Sequence, residues 1–259
     1  MRFDATRSAP LSALAVGSSD LKFRWQTGVA TLDNAIGGGF ALGRIHEVFS
    51  GCPEDAAASA GFALALAVRS AEDGKAIIWL RSRRAARAAG VIHAAGWVEL
   101  GGAPEACLFV LAQDAKALLR AGLDALRCGG LGAVVIESHG AMPELDLTAS
   151  RRLSFAAEKS GVPLLLLRAD AQPVPSAAET RWQVAAAPSQ ALPGKAPGAP
   201  CFDIELLRCR SRPAGQRWRL EWDRDGKLFR DTAVSGAVVP VPLRRQTAER
   251  GAGPSRRAA

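Results

Sequence analysis

From residue 27 onward, short apolar runs alternate with stretches whose apolar residues recur at helical spacing. Arg44 to Phe49, with Ile45, Val48 and Phe49 as β-type bulk, is predicted as the first strand of this series. Ala76–Leu80, Leu108–Leu111, Ala133–Ile136 and Val162–Leu167 follow as near-continuous apolar strands. Strands without polar alternation are buried on both faces, so these four are expected in the middle of a sheet. Between them lie helices: a short one in Thr27–Phe40 stopped by Gly37–Gly39, an Ala/Leu-rich one after Ser50–Asp55 that closes at Gly74, then Arg83–Ala89, Asp114–Cys128 and Leu147–Lys159. Strand–helix alternation of this kind predicts an α/β fold with a mostly parallel sheet flanked by helices.

Outside that series the texture changes. Residues 1–24 lack sustained periodicity and are expected to form a loosely held arm, which leaves residues 25–172 as the core. Six of the chain's 15 prolines crowd into residues 173–200, a loop region in which Thr180–Val184 still has strand character. Within residues 201–242, Phe202–Cys209 and Arg217–Trp222 alternate as an antiparallel hairpin across Arg212–Gly215, a short extension of the core. Residues 243–259 cannot build a core, so a disordered basic tail is expected there.

Composition narrows the class. The chain has 259 residues, of which 48% are hydrophobic and 22% charged, values that exclude wholesale disorder. No uncharged stretch exceeds 13 residues, short of the roughly 20 apolar residues a membrane-crossing helix needs. The first residues carry Asp4 and only a brief apolar stretch, so no secretory signal and a cytoplasmic location are expected. Five cysteines and three histidines show neither a CxxC pair nor zinc-ligand spacing, and no metal or disulfide framework is predicted. The net charge of +8 is uneven: residues 1–200 carry 20 Lys/Arg against 18 Asp/Glu, and residues 201–259 carry 13 against 7. Charge therefore points to the C-terminal end for any acidic or nucleic-acid partner.

The loop after the first core strand is where a phosphate would bind in a strand–loop–helix of this kind, because backbone amides and a helix N-terminus converge there. A working phosphate loop reads GxxxxGK[ST]. Starting at Gly51, the second glycine, the lysine and the hydroxyl residue fall on Ala56, Ala57 and Ala58, while Glu54 and Asp55 add two negative charges. Like charges about 4 Å apart cost about 4 kcal/mol at an effective dielectric of 20, so a triphosphate is disfavoured at this degenerate loop, and no cofactor is expected.

The run TGVATLDNAIGGGFALGRIHEVFSG resembles the segment that precedes the phosphate loop in RecA recombinases, through Thr27, Gly28, Leu32, Asp33, Gly37, Gly39, Gly43, Arg44, Ile45, Glu47 and Gly51. The likeness extends more weakly through the strand–helix order to about residue 170. It implies a RecA-like, P-loop NTPase-type fold. Where RecA-type ATPases carry a catalytic Glu after the second core strand, this chain has Arg81 and its neighbours; Glu137-Ser138 resembles the end of a Walker B strand, with Glu for Asp. A RecA-like core with these losses, followed by a basic tail, resembles the ImuA family, also described as SulA-like. That resemblance implies a non-catalytic role in SOS mutagenesis and translesion synthesis beside ImuB, an inactive Y-family polymerase homologue, and an error-prone C-family polymerase, with RecA as a further partner.

Two groups of arginines are the candidates for DNA or an acidic partner. Arg81, Arg83, Arg84 and Arg87 stand at the C-terminal end of the second core strand, where open α/β sheets bind ligands; Arg244, Arg245, Arg250, Arg256 and Arg257 lie in the tail. A solvated helix face competes with this reading for the first group. His139 near Ser138 has no nucleophile–base constellation around it in the sequence, and no catalytic residue is assigned. Two further readings stay open: a RecA-family ATPase with an unusual nucleotide loop, and a SulA-like inhibitor of cell division.

Overall fold

Strand β1 (Arg24–Trp25) pairs antiparallel with β2 (Phe40–Ala41), clipping together the ends of a segment that holds helix α1 (Ala30–Ala35). The structure, a computed structural model, describes residues 23–71, 74–196 and 198–232. α1 stops at the triple glycine: Gly37, Gly38 and Gly39 all have positive φ, and Gly38 N–H bonds back to Asp33 O at 2.7 Å. An added Cβ at Gly39 would collide with the Trp25 carbonyl oxygen, so this turn needs a glycine.

Among the described residues, nine strands form the main sheet. They are β3 (Ile45–Ser50), β4 (Ile77–Ser82), β5 (Cys107–Ala112), β6 (Ala133–His139), β7 (Leu164–Ala169), β8 (Thr180–Ala186), β9 (Cys201–Cys209), β10 (Arg217–Asp223) and β11 (Leu228–Asp231). Their order across the sheet is β11-β10-β9-β8-β3-β7-β6-β4-β5. From β8 to β5 all neighbours run parallel; β8, β9, β10 and β11 pair antiparallel in succession. The expected α/β architecture with an antiparallel C-terminal extension is therefore present, and the extension is a meander with β11 as an added strand rather than a hairpin alone.

Helices α2 (Ala56–Ser70), α3 (Arg83–Ala89), α4 (Ala94–Glu99), α5 (Ala115–Leu126) and α6 (Leu147–Ser160) connect the parallel strands. α2 ends at Ser70 rather than at Gly74. Strand alternation sends successive side chains to opposite faces, and two apolar cores result. One gathers α1, α2, Trp79, Val135, Leu167, Trp182 and Trp222; the other gathers Leu118, Leu126 and Leu153 from α5 and α6 with Leu80, Ile136 and Leu166.

One expectation is overturned. Of the four apolar runs placed mid-sheet, β4, β6 and β7 are interior, whereas β5 is the edge strand. Among the described residues β5 has no neighbour on its far side, and its Leu108, Phe109 and Leu111 are exposed. An apolar run reports what a strand offers for burial; its place in the sheet depends on the order of crossovers.

Residues 1–22 of the expected arm and 243–259 of the expected tail lie outside the described residues. No helix of the described residues is long and apolar enough to cross a membrane.

Candidate functional site

The residues shared with the RecA-type run hold the local fold. Asp33 is buried and accepts bonds from Thr27 N–H at 3.0 Å and Thr27 Oγ1 at 2.9 Å, closing the turn into α1. Burial pushes the Asp33 pKa up, while the Thr27 bonds act against the rise. Glu47, on β3, is buried against Arg181 Nε at 2.7 Å, a link between β3 and β8.

β3 runs into the degenerate loop, where Pro53–Asp55 forms a single 3-10 turn before α2. Asp55 folds back over this loop. Its Oδ1 accepts the Ala186 N–H at 2.8 Å, and its Oδ2 accepts the Cys52 thiol at 3.0 Å. A Cβ added at Gly51 would meet the same Oδ2 at 2.9 Å, so the carboxylate lies against the backbone that a phosphate would have to approach. The hydrogen bond to Asp55 raises the Cys52 pKa, which keeps the exposed thiol protonated. Ala57 is exposed, and Ala56 and Ala58 are half-buried; none of the three side chains can hydrogen-bond a phosphate oxygen.

Two and three strands away from β3, Glu137 on β6 and Arg81 on β4 are direct partners in the register of those strands. The Arg81 guanidinium donates to Glu137 Oε1 at 2.7 Å, and Trp79 Nε1 donates to Glu137 Oε2 at 2.7 Å. A further Arg81 N–H reaches Gly90 O at 2.8 Å. The Walker-B-like carboxylate is thus engaged at both oxygens by its own neighbours, in a pair whose side chains are 10% and 5% exposed.

The arginine cluster expected from the sequence separates accordingly. Arg81 belongs to the interior pair and is buried, so it presents no charge to an outside partner. Arg83, Arg84 and Arg87 are exposed on α3, whose first turn is capped by Ser82 Oγ accepting the Ala85 N–H at 3.0 Å. With Ala88, Gln113 and His139 they line a cleft of about 700 Å³ at the C-terminal edge of the parallel strands. Arg84 lies over Gly140, where a Cβ would come within 2.5 Å of its Nη2. His139 Nε2 stands 3.6 Å from Asp170 Oδ2. Among the described residues, none of the three arginines has an ion-pair or hydrogen-bond partner, an arrangement suited to binding anionic oxygens. Arg244, Arg245, Arg250, Arg256 and Arg257 lie outside the described residues.

Sequence reasoning singled out both Arg81 and Glu137 but not their pairing. Gln113 was missed altogether, since a lone glutamine after a strand carries no signal by itself.

Fold and site together define an α/β protein with a strand–loop–helix entry closed by its own aspartate and an arginine-lined cleft at the same sheet edge. No family model matches the chain. It is 36% identical over 206 residues to Protein ImuA of Caulobacter vibrioides strain NA1000 / CB15N, a match spanning 73% of this chain and 79% of the relative. The same figures hold for Protein ImuA of Caulobacter vibrioides strain ATCC 19089 / CIP 103742 / CB 15. The chain belongs to the ImuA family.

Proposed function

We propose that this ImuA-family chain is a non-catalytic accessory protein of damage-induced translesion synthesis and mutagenesis. It acts with an ImuB-type polymerase homologue and an error-prone C-family polymerase, and contacts RecA or DNA through its surface rather than by turning over nucleotide. The strand order β8-β3-β7-β6-β4-β5, with the loop after β3 leading into α2, supports a RecA-like scaffold beneath this role.

The observation that carries the reading is the Arg81–Glu137 pair at 2.7 Å. A magnesium–nucleotide site needs a free carboxylate on the metal side and a lysine on the terminal phosphates. Here the carboxylate is neutralised by Arg81 and bonded by Trp79, the lysine position is Ala57, and the Asp55 carboxylate lies on the loop backbone. A nucleoside triphosphate and magnesium do not fit these residues. The exposed cations of α3 supply instead an electrostatic contact for phosphates of a strand or carboxylates of a protein.

Damage-induced mutation frequency in cells lacking the chain tests the proposal. The native chain is expected to restore mutagenesis, and the triple variant R83E/R84E/R87E to fail while remaining folded and abundant. Mutagenesis that is unaffected by loss of the chain would overturn it.

A further inference from the structure

α5 and α6 lie side by side on one face of the sheet, and the trough between them has a volume of about 910 Å³. Its α6 wall is a stripe at helical spacing: Thr148, Arg151, Arg152, Phe155, Ala156 and Lys159. Leu123 and Arg127 stand opposite. Phe155 is 70% exposed, an unusual position for a phenylalanine in the middle of a helix that otherwise buries Leu153 and Ala157.

Among the described residues, no carboxylate lines this trough. The one acid of α5, Asp124, is paired with Arg127 at 3.0 Å, and the one acid of α6, Glu158, is paired with Arg44 at 2.7 Å. Arg151, Arg152 and Lys159 have no ion-pair partner among the described residues. An apolar ring is therefore ringed by uncompensated positive charge. Such a surface is complementary to a segment that carries an apolar anchor flanked by carboxylates.

We propose that the α5–α6 trough is a docking site for an acidic amphipathic helix of a partner protein, with its apolar side chains on Phe155 and Leu123 and its carboxylates on Arg151, Arg152 and Lys159. Residues 243–259 of this chain cannot be the occupant, because they bear five arginines against the single acid Glu249. A nucleic acid would use the cations and the ring face, but the aliphatic wall of Leu123 and Ala156 rewards side-chain burial that a sugar–phosphate chain does not provide. This inference stands apart from the nucleotide question, since the trough lies on the opposite face of the sheet from the Arg81–Glu137 pair.

Fluorescence anisotropy with a labelled helical peptide of about 16 residues, with Leu and Phe at i, i+4 spacing and Glu flanks, tests it. Its Lys-for-Glu twin and an oligothymidylate of roughly 20 nucleotides serve as controls. The acidic peptide is expected to bind saturably in the micromolar range, about tenfold more weakly to F155A and to R151E/R152E, and the basic twin not at all. Circular dichroism of these variants should match the native chain, because the altered side chains are on the surface. Absence of saturable binding, or equal binding by F155A, would overturn the proposal. Tighter binding of the oligothymidylate, lost in the same variants, would overturn it in favour of nucleic acid. Self-association abolished by F155A would overturn it in favour of a second copy of the chain.

Discussion

The Arg81 guanidinium lies 2.7 Å from Glu137 on the neighbouring strand, and the two side chains are 10% and 5% exposed. A buried pair of this kind leaves a costly orphan when one member is removed. Arg81→Ala should destabilise the fold by about 3–5 kcal/mol in urea unfolding, because it leaves the Glu137 carboxyl buried without its ion-pair partner. The double variant R81M/E137Q, which retains an acceptor for Trp79 and removes both charges, should lose less than Arg81→Ala alone. Equal stability of Arg81→Ala and the native chain would mean that the pair is not formed.

His46 reports on pH. It is fully buried, with Nε2–H donating to Ala41 O at 2.9 Å and Nδ1 accepting from the Thr180 hydroxyl at 2.8 Å, while Trp182 Nε1–H donates to Thr180 Oγ1 at 2.8 Å. This chain of bonds is satisfied by the neutral ring, and burial lowers the pKa to about 4. The unfolded chain takes up the proton near pH 6.5, before the folded one does. The stability held by His46 is therefore complete above about pH 6.5 and lost as the pH falls to about 4, with a span of about 3 kcal/mol. Urea unfolding of the native chain and His46→Gln at pH 7.5 and 4.5 should show a smaller acid loss in the variant.

Gly39 tests the turn that joins β1, α1 and β2. Its φ is +119°, and a Cβ there would strike the Trp25 carbonyl oxygen. Gly39→Ala should cost about 1–3 kcal/mol or more, read as a lower midpoint of thermal unfolding. Gly74→Ala is the control: it also has positive φ, but nothing lies within 4 Å of the added atom.

The cleft of Arg83, Arg84 and Arg87 makes an electrostatic prediction. If these three side chains hold phosphates of single-stranded DNA, log Kd should change with log salt by about 0.7 per phosphate. The triple Ala variant should then flatten the slope by about 2. An unchanged slope would assign the cleft to a protein partner.

How much of this is legible in the sequence depends on how local the information is. β3, α2, β6 and α6 are set by apolar period and by caps such as Asp146, whose carboxylate accepts the Ala149 N–H at 2.7 Å, and they were read from the chain. The edge position of β5 and the addition of β11 follow from crossover order and from Phe229 packing on Trp222 at 4.8 Å, relations between distant residues that no local pattern encodes. The alanines at positions 56–58 were visible as missing chemistry. What replaced the chemistry was not: Arg81 and Glu137 lie 56 residues apart, and only the parallel register of β4 and β6 brings them together. The same register turned Arg81 from an expected partner-binding residue into an interior one.

Titration calorimetry of the purified full chain with ATP and magnesium, followed by phosphate release from the same sample, addresses the central claim directly. A micromolar site is worth about −8 kcal/mol and would be seen without difficulty. The closed loop and the Arg81–Glu137 pair predict no saturable heat and no release of phosphate above buffer. Saturable micromolar binding with hydrolysis that is lost on substitution of Glu137 would contradict the account and make this chain an ATPase with an unusual nucleotide loop.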